Sequence, residues 1–96
     1  MGDGSHGEVQ LENEFFRVTR WTIEPGGAIP RHRHEHEYVV VPLANCSMQV
    51  MNADGSEFAA DLITGQSYTR PAGAEHRIEN RSSSETVCFA EVERLS

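Results

Sequence analysis

Several things are missing from this sequence, and each absence removes a class of function. No apolar run reaches membrane-spanning length, and the opening "MGDGSHG" lacks a signal-peptide pattern, so neither a membrane anchor nor secretion is expected. Positive charge is scarce: 8 basic residues face 15 acidic ones, a net charge of −7 and a pI near 5.1. That balance argues against nucleic acid and anionic membrane as partners. Cysteine is limited to Cys46 and Cys88, without the spacings of zinc or redox motifs. Both read as small apolar residues within strands, and the cytoplasm is the expected compartment. Apolar spacing at three and four residues is sustained nowhere, so no long helix is expected.

What remains is a chain of short strands. At 96 residues there is room for one domain. Residues 1–7 read as a loose glycine-rich tail, with no role for His6, and residues 8–96 as the folded domain. Candidate strands are "EVQLE" (8–12), "FFRVTRWTIE" (15–24), "EYVVVPL" (37–43), "CSMQVMN" (46–52), "SEFAADLI" (56–63), "QSYTR" (66–70), "HRIEN" (76–80) and "TVCFAEVE" (86–93). Turn residues separate them, including the hairpin pair Asp54-Gly55. Such spacing predicts an all-β antiparallel sandwich or barrel. Pro42 inside a run implies a bulge or an edge.

One stretch stands apart. "RHRHEHEYVVV" (31–41) places three of the five histidines at alternate positions. If the strand runs unbroken, His32, His34, His36 and Tyr38 share a face, with Val39 and Val41 on the other. The alternation does not say whether the histidines face water or an interior.

The second half supplies a resemblance. "GQSYTRPAGAEHRIEN" (65–80) resembles the second signature motif of the cupin superfamily, with Gly65, Pro71, Gly73, His76 and Asn80 at its anchors. The first motif, a glycine followed after five residues by His-x-His, is similar to Gly26, "GAIPR", His32, Arg33, His34. The stretch "HRHEHEYVVVPL" further resembles a branch of small single-domain cupins labelled as β-alanine degradation proteins. The resemblance implies an antiparallel jelly-roll barrel, a homodimer, and a divalent metal on His32, His34 and His76. Three imidazoles suit Fe, Mn, Ni, Zn or Cu better than Mg or Ca.

The sequence departs from the family at two slots. Tyr38 stands where a ligating glutamate is usual, and Asn45 where a glycine is. Tyr38 is then a ligand, a substrate contact or a packed aromatic; His36 is a cavity-lining group or an alternative ligand; Glu37 is a surface carboxylate unless a bulge turns it inward. Asn45 is expected to hold a left-handed turn. Arg31, Arg33, Arg70 and Arg77 flank the motifs, either paired with surface acids or facing a carboxylate substrate. Aromatic and apolar side chains available to line a cavity are Phe58, Tyr68, Met48, Val50, Phe89 and Trp21. The implied function is a small metal-dependent enzyme acting on a small polar or carboxylate-bearing molecule, with Tyr38 or His36 as the proton-transfer group. The alternatives are a non-catalytic binder of a small molecule or metal, and a metal-free barrel lined by hydrogen-bonded histidines.

Overall fold

The computed structural model describes residues 2–96. Among the described residues nine strands carry the fold: β1 (Ser5–Glu12), β2 (Phe16–Ile23), β3 (Ala28–Arg33), β4 (Tyr38–Pro42), β5 (Cys46–Asn52), β6 (Glu57–Leu62), β7 (Tyr68–Arg70), β8 (Glu75–Glu79) and β9 (Val87–Arg94). One sheet runs β1-β2-β9-β4-β7 and the other β3-β8-β5-β6, with every pairing antiparallel. The architecture is the antiparallel all-β sandwich that the strand spacing predicts, in the jelly-roll form that the resemblance implies. Among the described residues no helix is long and apolar enough to cross a membrane.

The two sheets face each other over one core, and alternation decides what enters it. Along β9, Val87, Phe89, Glu91 and Glu93 point inward while Cys88, Ala90 and Val92 turn out. Opposite them, Ile23, Met48, Val50, Leu62 and Ile78 close the apolar centre. Each such side chain contributes about 1.5–3 kcal/mol when fully buried. Trp21 lies across Gly7, where a Cβ would come within 2.8 Å of the indole ring. Gly7 therefore belongs to the packing. Ser5, His6 and Gly7 are paired with Ile23, Thr22 and Trp21, which corrects the expectation of a loose tail through residue 7. Met1 lies outside the described residues.

Three further expectations meet the structure at particular residues. Pro42 ends β4 and pairs with Phe89, whereas β7 reaches only Tyr38 to Val40. On that side Pro42 has no neighbour requiring its missing N–H, so it behaves as an edge proline. Asn45 takes no left-handed turn, since among the described residues only glycines have positive φ. Its Oδ1 instead accepts a hydrogen bond from the Thr64 N–H at 2.8 Å. Cys46 and Cys88 are free thiols, half-buried.

Candidate metal centre

The site begins with a bulge. Ile29 pairs with Ile78, and His32 with His76, so β3 uses one more residue than β8 between those pairs. Ile29 is buried in the core. In a regular strand a residue three positions on would face the opposite way. The extra residue at Pro30-Arg31 restores His32 to the interior, and a proline is tolerated at such an interruption. The same bulge aims the Pro30 carbonyl at His32, whose Nδ1–H donates to it at 2.9 Å. The lone pair of His32 is thereby left on Nε2.

Past Arg33 the strand ends, but its backbone pairing continues. The His34 N–H donates to the Ala74 carbonyl (2.8 Å), and the Gly73 N–H donates to the His34 carbonyl (2.7 Å). Gly73 makes this turn at φ 89°, a conformation costly for residues with a Cβ. These bonds fix His34 beside the start of β8, which carries His76.

Three imidazoles converge as a result. His34 Nε2 lies 2.9 Å from His32 Nε2 and 3.1 Å from His76 Nε2. The three ligand atoms fall within 4.8 Å of one another, and the rings stand edge to face at 71–77°. His34 and His76 are buried. Burial, then the neighbouring imidazoles, push both pKa values down to about 4, so both rings are neutral at pH 7. Neutral rings suit a cation, because lone pairs and not protons then face the centre. Without one, His34 Nε2 has a single proton or lone pair to share between two neighbours, a weak three-centre contact. The donor set fits a divalent transition ion better than it fits a hydrogen-bonded lining.

A family model described as the cupin domain matches residues 19–92, which takes in both histidine segments. The chain belongs to the cupin family. It is 44% identical over 85 residues to the β-alanine degradation protein BauB of Pseudomonas aeruginosa, covering 88% of this cupin and 87% of that protein. The crystal structure of a cupin domain from Bordetella pertussis superposes with a TM-score of 0.90 at 38% identity, over 97% of this chain and 95% of that one. The polyketide cyclase RemF of Streptomyces resistomycificus shares the fold at a TM-score of 0.77 and 21% identity, with 97% and 66% covered.

The usual cupin glutamate is absent, and the candidates for its place separate clearly. Tyr38 is buried and stacked on the His34 ring, with centroids 4.0 Å apart and planes 24° from parallel. Burial raises its phenol pKa above the ordinary value, which keeps the hydroxyl protonated and opposes ligation. Tyr38 here orients His34. His36 lies on the bend between β3 and β4, half-buried and outside the cluster, because the strand does not run through residues 34–37. Glu37 is an exposed carboxylate 3.4 Å from the Arg94 guanidinium.

Sequence reasoning missed a buried carboxylate beside the triad. Glu91, inward on β9, places Oε1 3.9 Å from His34 Nδ1. Burial, and then Glu93, raise its carboxyl to about 7, against a smaller lowering by the Trp21 indole N–H and Arg17. Its signal was available: in "VCFAEVE" the carboxylates occupy the same alternation as Val87 and Phe89.

Beside the triad lies a cavity of about 20 Å³, room for one water, lined by His76, Tyr38, Glu91, Tyr68 and Arg70 over an apolar floor that includes Met48, Val50 and Phe89. Trp21 is not in that lining. Phe58 lies outside it, 5.3 Å from the Arg70 guanidinium, with Tyr68 at 5.7 Å on the same cation. All eight basic residues of the chain are arginines. Among the described residues Arg31, Arg33 and Arg77 pair with Glu75, Glu35 and Glu79, as a surface role predicts. Among the described residues Arg70 is in no ion pair, and it lines the cavity.

Proposed function

We propose that this cupin holds a divalent transition metal, one of Fe, Mn, Ni, Zn or Cu, on His32, His34 and His76. We further propose that it acts as a small metal-dependent enzyme on a small polar or carboxylate-bearing molecule, which the one-water cavity admits only when its lining side chains part. The observation that carries this reading is the meeting of three Nε2 atoms from two segments, beside a cavity that an unpaired arginine enters. When bound, such an ion supplies Lewis acidity toward a carbonyl, carboxylate or water oxygen.

The chain's own groups do the rest. Arg70, held against Phe58 and Tyr68, offers a fork of N–H donors to a carboxylate. Tyr38 and the apolar floor keep bulk water from the rings. His36 stands away from the cluster and is assigned no proton-transfer role in this reading. The name of the Pseudomonas relative, β-alanine degradation protein, fits a substrate of this class, since β-alanine carries a carboxylate. Free thiols at Cys46 and Cys88 accord with the cytoplasm. Exposed Val9 and Leu11 on the edge strand β1 support a homodimer, which sedimentation would read.

Elemental analysis of protein purified without added metal tests the first half. About one equivalent of a transition ion is expected, falling to background in His76→Ala; equal content in the variant would overturn the assignment. A panel of small carboxylates, assayed with and without oxygen, then tests turnover. Binding without turnover would make the protein a sensor or store.

A further inference from the structure

We infer that Glu91 positions His34 for the metal: its carboxylate accepts the His34 Nδ1–H and so supplies, from the last strand, the negative charge missing at Tyr38. The inference rests on the metal-binding reading above and adds a residue to it.

The tautomer leads to this assignment. A histidine that ligates through Nε2 must carry its proton on Nδ1, and that proton needs an acceptor. For His32 the acceptor is visible, the Pro30 carbonyl at 2.9 Å. For His34, Nε2 faces the other two histidines and Nδ1 faces Glu91 Oε1 at 3.9 Å. A rotation of the carboxylate that closes roughly 1 Å brings the pair within hydrogen-bond range. Glu93, the next inward carboxylate on β9, is already engaged: Arg17 Nε and Nη2 donate to its two oxygens at 2.9 and 3.1 Å. Glu91 has no arginine of its own among the described residues.

Position and charge agree. Glu91 pairs across the sheet with Val40, two residues from Tyr38 on the same inward face of β4. The carboxylate has thus moved to the neighbouring strand, within one inward step of the family's slot. It does not join the ligand cluster itself. It stands behind His34, where a carboxylate fixes the ring and raises the basicity of the opposite nitrogen. Three neutral imidazoles leave a dication uncompensated, and a buried carboxylate at this depth offsets part of that charge.

Cobalt(II) titration of the full chain, with imidazole NMR, separates this role from mere packing. Wild-type protein is expected to bind one Co(II). Glu91→Leu should weaken that binding by about 10–100-fold, and Glu91→Gln, which keeps shape and an acceptor oxygen, by less. In zinc-loaded protein the His34 Nδ1–H should give a slowly exchanging downfield resonance, present in wild type and Glu91→Gln and lost in Glu91→Leu. Unchanged Co(II) affinity in both variants, or a His34 resonance indifferent to residue 91, would overturn the inference. No Co(II) binding by wild type would overturn the metal reading beneath it.

Discussion

Single side chains set the chemistry of this site, and among three of them the demands on pH are opposed. His34 and His76 have folded pKa values near 4, below the unfolded 6.5, so the unfolded chain takes up their protons first. Their contribution to stability is complete above pH 6.5 and is lost as pH falls toward 4. Glu91 runs the other way: raised from 4.5 to about 7, it favours the fold below pH 4.5 and loses that contribution as pH rises through 7. Two groups oppose one, so the melting temperature of metal-free protein should drop between pH 6.5 and 4, and His76→Ala should blunt the drop. Arg70→Met should weaken carboxylate binding about 10–100-fold while leaving metal content intact, since a hydrogen bond to a charged group is worth about 1.5–3 kcal/mol. An equilibrium titration with a small carboxylate reads that loss. The triad could be picked out from the sequence because its spacing is local to two motifs. For Glu91 the alternation in "VCFAEVE" carried the inward direction but not the approach to His34, which is set by the distance between sheets and is contained in no one-dimensional pattern.

Strands and turns decide whether those side chains meet. The strand positions were nearly all legible in the chain, since alternation and turn residues are local signals. Less legible was the break at residues 34–37, which takes His36 away from its neighbours, and the bulge at Pro30-Arg31, which returns His32 inward. Both depend on what β8 offers across the gap. Deleting Arg31 should restore regular pairing and leave His32 inward, two positions after Ile29 and still opposite His76, so elemental analysis should find metal uptake retained. At Gly73 an alanine should destabilise the protein by about 1–2 kcal/mol, measured by denaturant unfolding, because the left-handed turn resists a Cβ. Asn80, the last anchor of the second motif, is explained as a brace. Buried, its side-chain amide donates to the Ile23 and Glu85 carbonyls at 3.0 and 2.7 Å, and its Oδ1 accepts from the Ser82 N–H. Asn80→Ala should cost about 2 kcal/mol without changing metal stoichiometry.

At the scale of the molecule, the fold divides labour between its sheets. The sheet holding β3 and β8 brings the nitrogen donors, while the sheet holding β4, β7 and β9 brings Tyr38, Arg70 and Glu91. Metal on those donors stabilises the folded state by mass action, and saturation at 100 times its dissociation constant should add about 2.7 kcal/mol to stability, seen as a rise in melting temperature. His34 and His76 are 42 positions apart in the chain, and they meet only where β3 lies against β8. A polypeptide emerging from the ribosome therefore has no finished cage to offer until its eighth strand is out and docked. Ion capture waits on that docking, so its onset in a refolding experiment serves as a clock for the closing of β3 on β8.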